Sequence, residues 1–178
     1  MSKIIGLDLS MCESGITVLN NGRAESFLVK SKKPKDNTPT NELIRVLKIV
    51  KDIKEFIVGK EVSLVLIEGL AFCARNTSAL VQLSALNYMI REVCFTHEIP
   101  FIMVAPTSAK KFATGRGNAK KDEIMLEVYK RWKVSFSNDN LCDSYVLSKI
   151  GEALLDEKIK ITSAQQEVAN LLKTQLNN

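Results

Sequence analysis

A carboxylate set inside an apolar run is the hardest constraint in this chain. Residues Lys3 to Leu9 read KIIGLDL. Ile4, Ile5, Leu7 and Leu9 give the run the character of a buried strand, because bulky and β-branched side chains fit a covered, pleated surface. Asp8 lies within it. An ionised carboxylate in such a place is costly unless hydrogen bonds or a cation compensate it. Taken alone, Asp8 reads as a structural aspartate held by backbone amides. Two further acids occupy comparable places. Glu68 follows the apolar run Val62 to Ile67, and Asp143 lies on the apolar stripe of a later helix. Three carboxylates directed toward one interior predict a cation site.

The chain around them is ordinary for a globular protein. Its 178 residues are 46% hydrophobic and 25% charged, enough for one domain with a sizeable core. A net charge of +5 and a pI near 9.0 favour a polyanionic partner. Cys12, Cys73, Cys94 and Cys142 show no C-x-x-C spacing and follow no secretory signal. They are expected to be reduced thiols, mostly buried, in a cytoplasmic and not a secreted protein. No apolar run reaches membrane-spanning length. His97 is the sole histidine and is expected at a helix end, which leaves no material for a histidine-based triad.

The order of elements follows from periodicity. Gly15 to Asn20 and Arg23 to Val29 are strand-like and flank Asn21-Gly22, a strong hairpin signal. Ser31 to Thr40 is a basic, solvated loop within reach of phosphate. Asn41 to Ile57 carries Leu43, Val46, Leu47, Val50, Ile53 and Ile57 at helical spacing. Val62 to Ile67 is then a buried strand parallel to the first, joined to it by a right-handed crossover. A helix over 78–95 places Leu80, Leu83, Leu86, Ile90 and Val93 on one side, and Tyr88 and Met89 widen that surface toward the sheet and a second subunit. Pro100 to Val104 is the last strand.

Ser108 to Lys121, SAKKFATGRGNAKK, is the most basic stretch, with five Lys or Arg and no acid. It reads as a glycine-containing loop that enters a helix over 119–132 capped by Asn118. Free amides, the helix dipole and close backbone approach at Gly suit such a loop to phosphate. G-x-x-x-x-G-K-[ST] is absent. A helix over 139–155 places Asn140, Asp143, Leu147, Ile150 and Leu154 on one face. A terminal helix has Ser163 and Gln166 in capping-box spacing. The division expected is an α/β domain over 1–155 and a helical extension over 156–178.

A strand beside the first one brings Glu68 close to Asp8, and a helix laid across that edge adds Asp143. Hard oxygen ligands of this kind suit Mg²⁺ or Mn²⁺. Two such ions about 3.5–4 Å apart can activate water and stabilise both oxygens of a phosphodiester displacement.

With these residues in view, the chain resembles the RuvC-type Holliday junction resolvases of the ribonuclease-H-like superfamily, and especially those encoded by phages. IIGLDLS with SGITVL resembles the family's first acid motif, with Asp8 as a metal ligand. IEGLAFCARNTSAL, Ile67 to Leu80, resembles the second, with Glu68 as a ligand. KKFATGRGNAKK resembles the basic DNA-contact segment, in which Lys110 and Lys121 fall on functional lysines and Gly115 and Gly117 on its glycines. DNLCDSYVLS, Asp139 to Ser148, resembles the last motif, with Asp143 as the final ligand. The motifs run in order over roughly residues 3–150.

The resemblance implies a ribonuclease-H-like fold: a mixed five-stranded sheet, its first three strands antiparallel, flanked by helices. It implies a Mg²⁺-dependent crossover junction endodeoxyribonuclease that resolves four-way DNA junctions in recombination and repair. Two ions per site, Mn²⁺ as a substitute, no nucleotide cofactor and a homodimer on branched DNA go with it, in a bacterial or phage-infected cytoplasm. Its DNA face would comprise Phe72, as the aromatic inserted near the crossover, with Arg75, Lys110, Lys111, Arg116, Lys120 and Lys121. One position departs from the family. Three residues before the last Asp, where Asp or His is common, stands Asn140, with Asp139 beside it. The fourth ligand is Asn140 through its carbonyl, or Asp139 from one residue earlier, or is absent.

Three rival readings are separable. A superfamily nuclease for flaps, forks or RNA–DNA hybrids carries the same acids, but the basic glycine loop and the Phe72 loop favour the junction. An actin-like ATP-binding domain shares the look of GLDLS, yet the chain is short for two lobes and has no Asp-Gly-Gly loop. A junction-binding protein without activity would hold junctions in EDTA and never cut them.

Overall fold

The computed structural model describes residues 3–36, 38–70 and 77–176. β1 (Lys3–Asp8), β2 (Glu13–Asn20), β3 (Arg23–Lys30), β4 (Val62–Glu68) and β5 (Phe101–Val104) form one five-stranded sheet in the order β3-β2-β1-β4-β5. The first three strands pair antiparallel; β4 and β5 extend the other side of β1 in parallel. The expected mixed α/β sheet is the one that forms. Its hairpin turns on Asn21 and Gly22, at φ 50° and 81°, the left-handed pair that a two-residue turn of this twist requires.

Side-chain alternation divides the interior in two. Ile5, Leu7, Val65 and Ile67 face a core built with α1 (Pro39–Ile57) and α2 (Thr77–Thr96). Ile4, Leu64, Leu66, Ile102 and Val104 face a second core, built with α3 (Pro106–Thr114), α4 (Lys121–Trp132), α5 (Asp139–Leu155) and α6 (Ser163–Lys173). The even positions of β1 and β4 thus share one side, and Asp8 and Glu68 are even. Helices on both faces explain why β1 and β4 read as continuous apolar runs.

α5 lies directly on β1 and β2. A Cβ built on Gly6 would come within 2.1 Å of the Ser144 carbonyl oxygen, and one on Gly15 within 2.0 Å of that of Asn140. Backbone therefore rests on backbone. The Thr17 and Ser144 hydroxyls bond across the same contact at 2.9 Å. α5 is covered on most of its circumference, by the sheet beneath and by α3, α4 and α6 around it; Cys142, Tyr145, Val146, Leu147, Ile150 and Leu154 are all buried.

The structure corrects the sequence reading in four places. The basic stretch 108–121 is half helix: α3 starts at Pro106, whose missing N–H costs nothing at a first turn, and ends on Gly115 at φ 86°. α4 begins at Lys121 with Lys120 as its cap, not at Ala119 behind Asn118, because Glu123 reaches back to the Lys120 amide at 3.0 Å. The capping box of α6 is Thr162 with Gln165, one residue before the expected pair; Gln165 is buried and so fixes the register. α1 also starts two residues early, at Pro39, where Thr38 caps it.

Cys94 and Cys142 are buried thiols and Cys12 is exposed, whereas Cys73 is outside the described residues. His97 sits just past α2, bonded to the Val93 carbonyl through its ring at 2.9 Å. No described helix is long and apolar enough to cross a membrane.

Candidate active site

Asp8 and Glu68 are the last residues of β1 and β4, neighbouring parallel strands in which Leu7 stands opposite Ile67. The register therefore puts the two acids side by side at the carboxyl edge of the sheet, on the α5 side. Asp8 is 7% exposed. Burial, the nearby Glu68 and Asp143 charges and a hydrogen bond with Glu68 push its pKa up to about 9. Burial also raises Glu68, while the Asp8 hydrogen bond and the Lys110 and Lys121 ammonium groups pull it down. A hydrogen bond between two carboxyl groups needs a proton on one of them, so the pair shares one. Asn87, buried on α2, donates to the Glu68 backbone carbonyl at 3.4 Å and helps to hold the strand end.

α5 brings the third acid. Asn138 caps the helix by accepting from the Leu141 amide at 3.2 Å, and Asp143 follows within the first turns. Because Gly15 is the ladder partner of Asp8 and has no side chain, the Asn140 backbone drops onto it and Asp143 comes level with Asp8. Burial first, then Glu68, raise Asp143 to about 6; Asp139 adds to the rise, and Lys121 and Lys110 oppose it.

Asp139 behaves in the opposite way. It forms an ion pair with Lys121, which holds its carboxyl below the usual range and raises the lysine. Asn140 turns its amide nitrogen to the Glu13 carbonyl at 2.6 Å. Of the two candidates for a fourth ligand, Asp139 thus lies in the field of Asp143 and Lys121, whereas the Asn140 amide is already engaged on β2.

The structure brings together Asp8, Glu68, Asp143, Asp139, Lys110 and Lys121. Lys111 instead reaches Glu167 on α6 at 2.5 Å, Arg116 reaches Glu123 at 3.3 Å, and Lys120 is exposed at the mouth of the segment. Phe72 and Arg75, expected on the DNA face, lie outside the described residues. Sequence reading passed over Glu13. One of its carboxylate oxygens takes Lys30 at 3.2 Å and the other Asn138 at 3.1 Å, which ties β2, β3 and the cap of α5 together. A cross-strand Glu–Lys pair is the only signal that would have found it, and such pairs are common on solvated sheet ends.

Among the described residues no three acidic, histidine or cysteine side chains close into a ready cage. The donor set nevertheless fits a hard divalent cation. Buried carboxylates share a proton for want of positive charge, and all the donors are oxygen.

A mixed five-stranded sheet in the order β3-β2-β1-β4-β5, with helices on both faces, defines the fold as ribonuclease-H-like. Residues 4–140 match the family described as Crossover junction endodeoxyribonuclease RuvC, and the chain belongs to that family. The RuvC of Chlorobium phaeovibrioides (strain DSM 265 / 1930) is 26% identical over 131 residues, 70% of this chain; the chain spans 66% of that relative's length. The structure described as T. thermophilus RuvC in complex with Holliday junction substrate superposes with a TM-score of 0.66 at 18% identity, over 83% of this chain and 90% of that one. The yeast mitochondrial Holliday junction resolvase Ydc2 superposes with a TM-score of 0.60 at 12% identity, over 97% of this chain and 82% of that one. At these identities the likeness carries the fold. The family match stops before Asp143, whose place rests on the packing of α5.

Proposed function

We propose that this chain is a Mg²⁺-dependent endonuclease that resolves four-way DNA junctions by paired nicks. The observation that carries the reading is the proton-sharing contact of Asp8 with Glu68, overlooked by Asp143 and flanked by Lys110 and Lys121. Asp8, Glu68 and Asp143 hold the metal, with Asp139 the better placed of the two further candidates. When bound, two Mg²⁺ ions would supply an activated water and neutralise charge on the phosphate, with Mn²⁺ able to replace them.

The remaining work falls to the chain itself. Lys121, at the first turn of α4, has its ammonium beside the acids and takes a phosphate oxygen as an alternative to Asp139. Lys110 reaches the same field from α3. In hydrolysis a water oxygen forms one bond to phosphorus as the bond to the leaving sugar oxygen breaks. A cation held here would take the place of the proton that Asp8 and Glu68 share. Lys111, Lys120 and Arg116 extend the DNA face, and the family resemblance adds Phe72 and Arg75 to it.

The apolar outer face of α2 supports a homodimer. Val81, Tyr88 and Phe95 are 67%, 65% and 80% exposed, more than an isolated subunit leaves to water without reason. Two-fold symmetry would then match the symmetry of a junction. Residues 1–155 form the nuclease domain and 156–178 its helical extension, working in a bacterial or phage-infected cytoplasm.

The test is cleavage of a synthetic four-way junction, with and without Mg²⁺, beside a linear duplex, a Y-fork and an RNA–DNA hybrid of matched sequence. Paired symmetric nicks on the junction are expected. Cutting of forks and flaps as efficiently would make it a general debranching nuclease, and tight binding without cutting in Mg²⁺ or Mn²⁺ would make it a binder.

A further inference from the structure

On the other side of the acids from α3 and α4, the segment after β3 folds against α1 and encloses a cleft of about 420 Å³. Lys30, Lys32, Arg45 and Lys48 line it with Ser31 and Asn41, and no carboxylate does. We propose that this cleft is a second phosphate-binding site, which grips the sugar-phosphate backbone of a DNA strand a few nucleotides away from the bond being cut. The inference rests on the nuclease reading above and adds a second, separate hold on the DNA.

The cleft is built, not incidental. Arg45 braces it from within: Nε donates to the Ser31 hydroxyl at 3.0 Å, and Nη2 to the Met11 carbonyl at 2.5 Å and the Ser31 carbonyl at 3.4 Å. The segment after β3 is thereby fixed to the turn that follows Asp8. The lysines carry the free charge. Lys30 is paired with Glu13 at 3.2 Å and Lys48 with Asp52 at 2.6 Å, both on open surface where a phosphate can compete for them. Among the described residues Lys32, Lys33 and Lys35 have no acidic partner, and Asp36 and Glu42 on the same segment stay outside the lining. The amino end of α1, a long helix, adds positive potential beside Asn41.

Register fixes how far the cleft is from the chemistry. Asp8 stands opposite Gly15, Gly15 opposite Leu28, and Lys30 is two residues further along β3. Two strand spacings across and two residues along give a separation of about 12 Å. A DNA strand rises about 3.4 Å per nucleotide along the helix axis, and its phosphates lie farther apart than that along the winding backbone, so the cleft meets phosphates about two to three nucleotides from the scissile one. Without this cleft the cations beside the acids, Lys110 and Lys121, come from α3 and α4, and a strand crossing the acids would be held at one end.

The test uses the full chain with a labelled four-way junction and a matched linear duplex. Binding is measured in EDTA across salt for wild type, for Lys32→Glu/Lys48→Glu, and for Lys158→Glu/Lys160→Glu, which makes the same charge change at the far end of the sheet. The cleft variant should lose at least about 10-fold in affinity, and its salt slope should fall by about 1 to 2. Single-turnover cleavage in Mg²⁺ at saturating protein should stay within about twofold of wild type, since these lysines touch neither acid nor scissile phosphate. Equal losses in both variants, or none in the cleft variant beside an active wild type, overturn the inference and leave the resolvase reading standing. A wild type that binds neither DNA overturns both. Hydroxyl-radical footprinting of wild type tests the site without any variant: protection is expected about two to three nucleotides from the nick, and its absence there overturns the proposal.

Discussion

Two aspartates of one site titrate in opposite directions. Asp8, on the floor, is pushed up to about 9 by burial and by Glu68 and Asp143. Asp139, on the rim, is held below the usual range by Lys121. The floor stores repulsion that only a cation or a proton relieves. The rim is already neutral, and its lysine can exchange one anion for another at little cost, since exposed pairs are worth about 0–1 kcal/mol. A site that gathers metal below and phosphate above needs both conditions.

The largest effect should come from the floor. Asp8→Asn is expected to lower junction cleavage by at least about 10²-fold, the scale seen when one group that stabilises developing charge is removed. Junction binding should hold or improve, because a negative charge near phosphate is gone. Normal cutting by this variant would dissolve the contrast between the two aspartates.

Next is the contact that sets floor against rim. Gly15→Ala drives a methyl into the Asn140 carbonyl and must lift the start of α5. Cleavage at saturating junction should drop by about 10²-fold, the cost of misplacing a catalytic group by about 1 Å. Retained cleavage with an intact fold would mean that α5 can shift without disturbing Asp143.

The rim is sharpened by two variants compared side by side. Asp139→Asn should raise the Mg²⁺ concentration needed for half-maximal cleavage about 10-fold, which is the low end for a supporting residue of a metal site. Asn140→Ala should instead cost about 1 kcal/mol of stability through its lost bond to the Glu13 carbonyl. The reverse pattern would make Asn140 the ligand.

The smallest effect is one of pH on the metal-free protein. Asp8 is raised in the folded state from an ordinary 3.8 to about 9, so the folded chain holds its proton more tightly than the unfolded one. Its contribution to stability is complete below about pH 4 and is lost as pH rises toward 9. Asp143, raised to about 6, adds to that loss in the lower part of the window. The melting temperature should therefore fall between pH 5 and pH 8 by several degrees, at about 2–4 °C for each kcal/mol in a chain of this size. Mg²⁺ should restore it, and Asp8→Asn should flatten the profile. A melt that is steeper in Asp8→Asn than in wild type would place the buried proton elsewhere.

Most of the floor was readable in advance, because strand period and register are local properties. The run KIIGLDL, the parallel crossover and the stripe of α5 each pointed one acid inward, and the sheet brought Asp8 and Glu68 together. The rim was not readable in the same way. Its form depends on where α3 stops and α4 starts: α3 stops at Gly115, inside a stretch that reads as a loop, and α4 starts on a cap atypical in kind, Lys120 with Glu123. The choice between Asp139 and Asn140 is a matter of side-chain direction, which depends on Lys121 and Glu13, 18 and 127 residues away. No spacing rule reaches that far.

Gly6 and Gly15 have a meaning beyond packing. Where two ligand-bearing elements meet through side chains, their separation drifts whenever one residue is exchanged for a larger or smaller one. Here the separation is set by peptide groups, whose dimensions no substitution elsewhere can alter. The gauge of this site is therefore two absent methyl groups. Exchanges on α5 that spare its buried face leave the distance from its carboxylate to those of the sheet the same.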